Sequence, residues 1–155
     1  MIVVMSALKD RLRDDLSAAI KARDEVRTRT LRMALTAVTN EEVAGKKARE
    51  LSDEDIVKVL AREAKKRREA AEAFAGAGRA EQAAAERAEG EVINGYLPAQ
   101  LPDEELAELV ATAIAETGAA GPRAMGQVMK VVRPKVGDRA EGGRIAAEVK
   151  RQLGS

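Results

Sequence analysis

The sequence predicts an all-α protein, and both its composition and its apolar spacing point that way. Alanine, the best helix former, occupies 31 of the 155 positions, whereas Phe74 and Tyr96 are the only aromatic residues. Strands favour β-branched and aromatic residues that alternate with polar ones, and no such alternation runs through the chain. Apolar residues instead recur every three or four positions, which is the spacing of one helix face.

Two helices are predicted in the first part of the chain. The first begins at Ser6, a good N-cap residue, and Asp24 and Glu25 mark the break before the second. The second helix has a broad apolar face and is predicted to end at Gly45. The stripe of the first helix has four-residue spacing, and we expect it to be buried: Leu8, Leu12, Leu16 and Ile20.

The next two helices are separated by glycines. Ser52 is predicted to cap the third helix, with Asp55 as its partner in a capping box. Gly76 and Gly78 end that helix, and an alanine-rich fourth helix leads to Tyr96. Four helices joined by short loops pack as a bundle or as paired hairpins, so we predict an N-terminal helical domain over residues 1–95.

A segment with two prolines follows. Pro98 has no amide hydrogen and clashes with a preceding helical turn, so the fourth helix must end near Tyr96. Pro102 suits the start of a helix, and the three carboxylates after it favour a helix N-terminus. We therefore predict a hinge over residues 96–102 and a C-terminal domain of three short helices over residues 103–155.

Turns and glycines divide the predicted C-terminal domain. Its first helix ends at Thr117, and Pro134 is expected to terminate the second. Glycines inside short helices cost roughly 1 kcal/mol each relative to alanine. We therefore expect a close backbone approach or a tight turn at these glycines. One reading is a close helix contact at Gly126 and turns at Gly137 and Gly142, and the other is that the basic residues of this compact unit form a cationic surface.

The residue inventory excludes several kinds of chemistry. Cysteine and histidine are absent, which removes disulfides, thiolate nucleophiles, the commonest zinc ligands and the usual general base. No glycine-rich phosphate loop is present, and neighbouring carboxylates such as Asp14 and Asp15 diverge on a helix. We expect no catalytic residue, no metal and no cofactor.

No apolar run is long enough to span a membrane, and residues 1–4 are too short for a signal peptide. We expect a cytoplasmic protein without a membrane partner, and Met5 is a candidate native start.

Basic residues are unevenly distributed, although the totals of 27 basic and 26 acidic residues nearly balance. Residues 123–155 hold eight bases and three acids, and a second basic cluster lies on the third helix. Such clusters attract phosphate backbones, although a solvated helix face explains the same pattern. The candidate nucleic-acid-binding residues are Lys130, Arg133, Lys135, Arg139 and Arg144, and then Lys65, Lys66, Arg67 and Arg68.

Several segments together resemble the GatB/YqeY family of small bacterial proteins. They are Tyr-Leu-Pro-Ala-Gln-Leu at 96–101, Met-Gly-Gln-Val-Met at 125–129 and the stretch 135–142, with shorter matches at 31–33 and 74–78. The resemblance spans nearly the whole chain from Met5. Asp138 stands where the family usually has glycine, and Glu141 where it usually has aspartate. We expect the turn to survive, because aspartate tolerates the left-handed region.

The resemblance implies a helical N-terminal domain and a C-terminal domain similar to the tail of the B subunit of glutamyl-/aspartyl-tRNA amidotransferase. In that enzyme the tail is associated with tRNA recognition, whereas amide transfer takes place in a separate core domain. Similar domains are appended to some glutaminyl-tRNA synthetases. The family label carries carbon–nitrogen ligase activity with glutamine as amido-N-donor, but nothing in this chain resembles the transamidating core.

Three functions follow, in order of preference. The first is a tRNA-associated accessory module that binds phosphates through basic helices, with Tyr96 as the only aromatic residue suited to stack on a base. The second is a protein-interaction module that docks on an aminoacyl-tRNA synthetase or amidotransferase, which exposure of Met125 and Met129 would favour. The third is a glutamine-dependent ligase, ranked last because nothing in the chain resembles the transamidating core and no other residues replace it.

Overall fold

The computed structural model describes residues 6–154, which form seven α-helices and two short 3-10 turns and contain no strand. The all-α prediction is confirmed. The expectations about a signal peptide and about Met5 concern residues outside this range. The helices are α1 (Ala7–Ala22), α2 (Glu25–Glu42), α3 (Asp53–Gly76), α4 (Ala80–Asn94), α5 (Asp103–Thr117), α6 (Met125–Val136) and α7 (Gly142–Leu153).

The chain divides into two compact units, of which one ends at Leu97 and the other begins at Pro98. Helices α1 to α4 enclose the core of the first unit, where Leu12, Ile56 and Leu60 are fully buried. Helices α5 to α7 enclose a second core rich in valine. Each unit therefore has its own hydrophobic interior.

Local capping accounts for the starts of the first three helices. The Ser6 hydroxyl accepts a hydrogen bond from the Lys9 amide at 3.1 Å, and the Asp24 carboxylate accepts one from the Arg27 amide at 3.0 Å. Ser52 and Asp55 form the predicted capping box. Hydrogen bonds from the amide and hydroxyl of Ser52 hold the pKa of Asp55 below its usual value.

The predicted end of α2 was wrong, because the helix stops at Glu42 and not at Gly45. The carbonyl of Glu42 accepts a hydrogen bond from the Arg49 amide at 2.9 Å, and its carboxylate pairs with Lys9 at 2.8 Å. Glu42 is therefore held by the loop through its carbonyl and by α1 through its carboxylate, at the residue where the helix ends.

The predicted end of α6 was also wrong, because Pro134 lies inside the helix, which continues to Val136. A proline this near the end deletes one backbone hydrogen bond, whereas Val132 and Val136 both bury their side chains in the core. The Arg139 guanidinium adds hydrogen bonds to the carbonyls of Lys135 at 2.6 Å and Val136 at 3.2 Å. These contacts hold the last turn in helical form.

None of the helices within residues 6–154 combines the length and the apolar character that crossing a membrane requires.

Candidate nucleic-acid-binding surface

One side of α6 carries cations and glycine, and the other side is packed into the core. Val128, Met129, Val132 and Val136 form the buried side. Gly126, Lys130 and Arg133 are exposed and stand at i, i+4 and i+7, so they share one helix face. An Nη of Arg133 lies 3.8 Å from the point that a Cβ on Gly142 would occupy. We call these three residues, with Gly142 at the start of α7, the glycine–cation face.

No contact within residues 6–154 requires glycine at the positions of this face or at the neighbouring Gly143. A Cβ at Gly126 or Gly143 would meet no atom within 4 Å, and at Gly142 only the ordinary contact with Arg133. None of the three has a positive φ. The expected close helix contact at Gly126 was therefore wrong, and Gly142 begins α7 and does not form a turn.

Gly137 does form the predicted turn, with φ of 58°. Asp138 lies in the 3-10 turn that follows and has no positive φ, so the turn survives without a left-handed aspartate. Glu141 occupies the N-cap of α7 and makes no side-chain capping hydrogen bond there.

Lys135 lies away from the glycine–cation face. It is five residues beyond Lys130, a spacing that places it on another side of the helix. Its Nζ pairs with the Glu116 carboxylate of α5 at 3.3 Å, and both side chains remain partly exposed. Lys135 is accessible to a ligand but does not extend the row formed by Lys130 and Arg133.

Arg139 and Arg144 serve the fold of the second unit. Arg139 binds the carbonyls at the end of α6, as described above. Arg144 donates to the carbonyl of Leu101 and pairs with the carboxylate of Asp103 at 2.7 Å. It thereby links α7 to the segment that precedes α5. Of the five C-terminal candidates, Lys130 and Arg133 thus keep their charge most available.

The basic cluster on α3 is split between the surface and the interior. Lys65, Lys66 and Arg68 are exposed, and the two lysines form long ion pairs with Glu69 and Glu63 at 4.0 and 3.8 Å. Arg67 is only 17% exposed and pairs with Glu89 of α4 at 3.2 Å. Four consecutive residues point around the whole circumference of a helix, so the cluster does not form one surface.

Tyr96 is buried and cannot stack on a base, contrary to the expectation from sequence. The Arg11 guanidinium covers its ring at 4.6 Å from the centroid. Its hydroxyl donates to Asp15 and accepts a hydrogen bond from Arg27 at 3.2 Å. Burial, followed by the bond to Asp15, raises the pKa of Tyr96 to about 12. The residue holds together the helices of the first unit.

A feature that the sequence analysis did not assign is a cleft of about 880 Å³ in the first unit. Ile20, Arg23 and Arg32 contribute to its lining. The signal in the sequence was Ile20, which continues the apolar stripe of α1 beyond the part that the core covers. Within the described chain, no group of three acidic side chains is arranged to hold a metal ion.

Comparison with known proteins identifies the family. A family model described as "Yqey-like protein" matches residues 9–153. A search among curated proteins found no match. Because the family model covers almost the entire sequence, including both units, the chain belongs to the Yqey-like protein family.

Proposed function

We propose that this protein is a cytoplasmic tRNA-associated accessory module whose second unit binds the phosphate backbone of tRNA through the glycine–cation face. The proposal is supported by the resemblance of this unit to the tail of the tRNA-dependent amidotransferase, which is associated with tRNA recognition. The observation that carries it is the set of glycines without a steric role beside two available cations.

Glycine within a helix costs about 0.5–1 kcal/mol relative to alanine. At Gly126 no protein atom uses the space that the missing side chain leaves, and at Gly142 the nearest atom is a terminal nitrogen of Arg133 at 3.8 Å. A ligand whose backbone comes close to the helix surface would use it. Phosphate oxygens fit this requirement, because they are small, charged and able to accept hydrogen bonds from main-chain amides.

The charges around these glycines suit phosphate. Lys130 and Arg133 make no ion pair with any residue between 6 and 154, so neither must give up a partner to bind an anion. The start of α7 has no side-chain cap, which leaves amides of its first turn available beside Arg133. Binding of this kind reads backbone and shape, which agrees with the burial of Tyr96.

The first test is binding of the full chain to total tRNA, measured by fluorescence anisotropy at about 50 and about 200 mM salt. We expect affinity to fall steeply with salt. The double variant Lys130→Glu/Arg133→Glu should weaken binding at least about tenfold and reduce the slope of log K against log salt by about 1.5–2, because two phosphate contacts are lost.

A matched control is Lys58→Glu/Arg87→Glu, which reverses two exposed charges on the first unit. It should change the affinity by less than about twofold, since net charge falls by the same amount in both variants. Salt-independent binding, or equal losses in the two double variants, would refute the assignment to this face. Loss of binding in Lys65→Glu/Lys66→Glu alone would move the site to α3.

A second prediction separates stability from binding at Gly126. Gly126→Ala should stabilise the second unit by up to about 1 kcal/mol, because alanine favours the helix and meets no neighbour. The same change should weaken tRNA binding several-fold, because its methyl group occupies the ligand's space. Denaturant unfolding and anisotropy measure the two effects. A variant that is more stable and binds tRNA normally would remove the main argument for this face.

The alternative is docking on a synthetase or amidotransferase through exposed methionines. The exposure that would have favoured it is not observed. Met129 is buried, and Met125 packs partly buried against the second core. The ligase activity of the family label ranks last, and transfer of the glutamine amide to mischarged tRNA by the purified chain would reverse that order.

A further inference from the structure

The cleft in the first unit follows the length of α2. Its lining on that helix runs from Glu25 to Asn40 at intervals of three and four residues, so it is one continuous face. The end of α1 forms one wall with Ile20 and Arg23, and α3 contributes Glu63 and Arg67 to the other. The result is a groove above one helix and between two others.

We propose that this groove binds an acidic amphipathic helix of a partner protein. The site lies in the first unit and involves none of the residues assigned above to tRNA. The proposal can therefore be tested independently of tRNA binding by the second unit.

The dimensions of the groove fit a helix. The lining stretch of α2 is about 22 Å long at 1.5 Å per residue. A helix of about four turns matches this length.

The floor and one wall of the groove offer apolar contacts that the chain itself does not use. Ile20 is 47% exposed, and among the described residues only Val43 is a comparably exposed large hydrophobic side chain. Met33 and Ala37 on α2 are partly buried and lie along the same groove. A helix that presents apolar residues at i, i+3, i+4 and i+7 would cover these positions.

The available charge of the groove is positive. Arg23 and Arg32 make no ion pair with any residue of the described chain. The other two arginines, Arg29 and Arg67, already bind Glu89 at 2.9 and 3.2 Å. This leaves two cations beside an apolar floor, which suits carboxylates that flank an apolar stripe.

Two acidic residues also line the groove, and each already has a favourable environment. Glu63 lies within 3.8 Å of Lys66 and 3.9 Å of Arg67. Glu25 occupies the first turn of α2, where the helix dipole favours a negative charge. An RNA backbone would satisfy the cations but leave the apolar floor without a partner, so an acidic helix is favoured.

The experiment is selection of helical peptides against the full chain. The probe is a displayed library of amphipathic helices of about 16 residues, with acidic, basic and apolar choices at each surface position. We expect the recovered peptides to combine the i, i+3, i+4, i+7 apolar pattern with Asp and Glu beside it. Binding of the best peptides should weaken at least about tenfold in Ile20→Glu and in Arg32→Glu.

Matched controls are available for both variants. Val43→Glu places the same charge on the other exposed hydrophobic residue, and Arg87→Glu reverses an arginine outside the groove. Each should alter binding by less than about twofold, since neither touches the peptide. Because all four positions are exposed, unchanged unfolding midpoints will show that the variants remain folded.

Four outcomes would overturn the proposal. The first two are that the selection recovers no helical binder and that it recovers basic peptides. The third is that peptide binding survives both groove substitutions. The fourth is that the same variants lose tRNA binding and that tRNA displaces the peptide. The last would identify the groove as an RNA site. Lys130→Glu/Arg133→Glu should leave peptide binding unchanged, which keeps this test separate from that of the second unit.

Discussion

Replacing Arg67 with methionine should lower the free energy of unfolding by about 3 kcal/mol, the lower end of the range for breaking a buried ion pair. The side chain is 17% exposed and that of Glu89 is 11% exposed, so little water can replace the lost partner. Methionine retains much of the apolar stem. The loss therefore reports the carboxylates of Glu86 and Glu89, which each lose a neighbouring cation, and not a large cavity.

The contacts of Arg67 explain the size of this effect. Its Nε lies 3.2 Å from Glu89 and 3.8 Å from Glu86, and an Nη lies 3.2 Å from the sulfur of Met33. Glu89 also binds Arg29 at 2.9 Å, which keeps one cation in place in the variant. For this reason we expect the lower end of the range and not the full cost of an isolated buried charge.

Denaturant unfolding of the full chain measures the effect, and Lys66→Met is the matched control. Lys66 is exposed and its ion pair is long, so its loss should stay below about 0.5 kcal/mol. Adding Glu89→Gln to Arg67→Met should recover part of the stability, because it removes a buried negative charge that keeps only Arg29 beside it, and the half-exposed Arg29 can be solvated. Equal unfolding midpoints for Arg67→Met and Lys66→Met, with weaker tRNA binding in the former, would instead make Arg67 a ligand-binding residue.

The contrast between Arg67 and its neighbours shows where sequence reasoning stops. The run from Lys65 to Arg68 is visible as a basic cluster, but the sequence does not say which of the four faces α4. That choice depends on how α3 and α4 pair, which brings Glu86 and Glu89 over Arg67. A pairing between distant helices is a tertiary property that local spacing does not encode.

Helix positions were more predictable because their signals are local. Ser6, Asp24 and Ser52 cap helices through bonds to amides three residues away, and such bonds can be inferred from the sequence alone. The misplaced ends of α2 and α6 depend on longer-range contacts, such as the pairing of Lys9 with Glu42 and the burial of Val136. In both cases tertiary packing overrode the residue that normally ends a helix.

For the two candidate ligand sites, too, the sequence predicted local features but not those that depend on tertiary contacts. The density of basic residues in the sequence predicted the cations at Lys130 and Arg133. The sequence did not show that the other three candidates are already engaged by the protein, which only their contacts revealed: Lys135, Arg139 and Arg144. Ile20 was expected in the core because it continues an apolar stripe. It lies in an open groove because the neighbouring helices do not cover the end of α1.

The second large effect is expected at Gly137, where substitution by alanine should cost about 2–3 kcal/mol. Gly137 follows α6 with φ of 58° and ψ of −130°. This combination lies outside the left-handed helical region, which alanine can enter at moderate cost, and is largely restricted to glycine. No atom within 4 Å opposes a Cβ there, so the cost is one of backbone conformation and not of a clash.

Three glycines of the second unit provide a graded test by denaturant unfolding. Gly118 has φ of 64° and ψ of 18°, a left-handed helical conformation, so Gly118→Ala should cost about 1–2 kcal/mol and Gly118→Asn less. Gly137→Asn should give little relief, because ψ at that position does not match the region that asparagine tolerates. Gly126→Ala should be neutral or stabilising. The order of the three stability losses should therefore follow the backbone angles at each glycine. Equal losses at Gly118 and Gly137 would contradict this account, because open space surrounds both positions and only their ψ angles differ strongly.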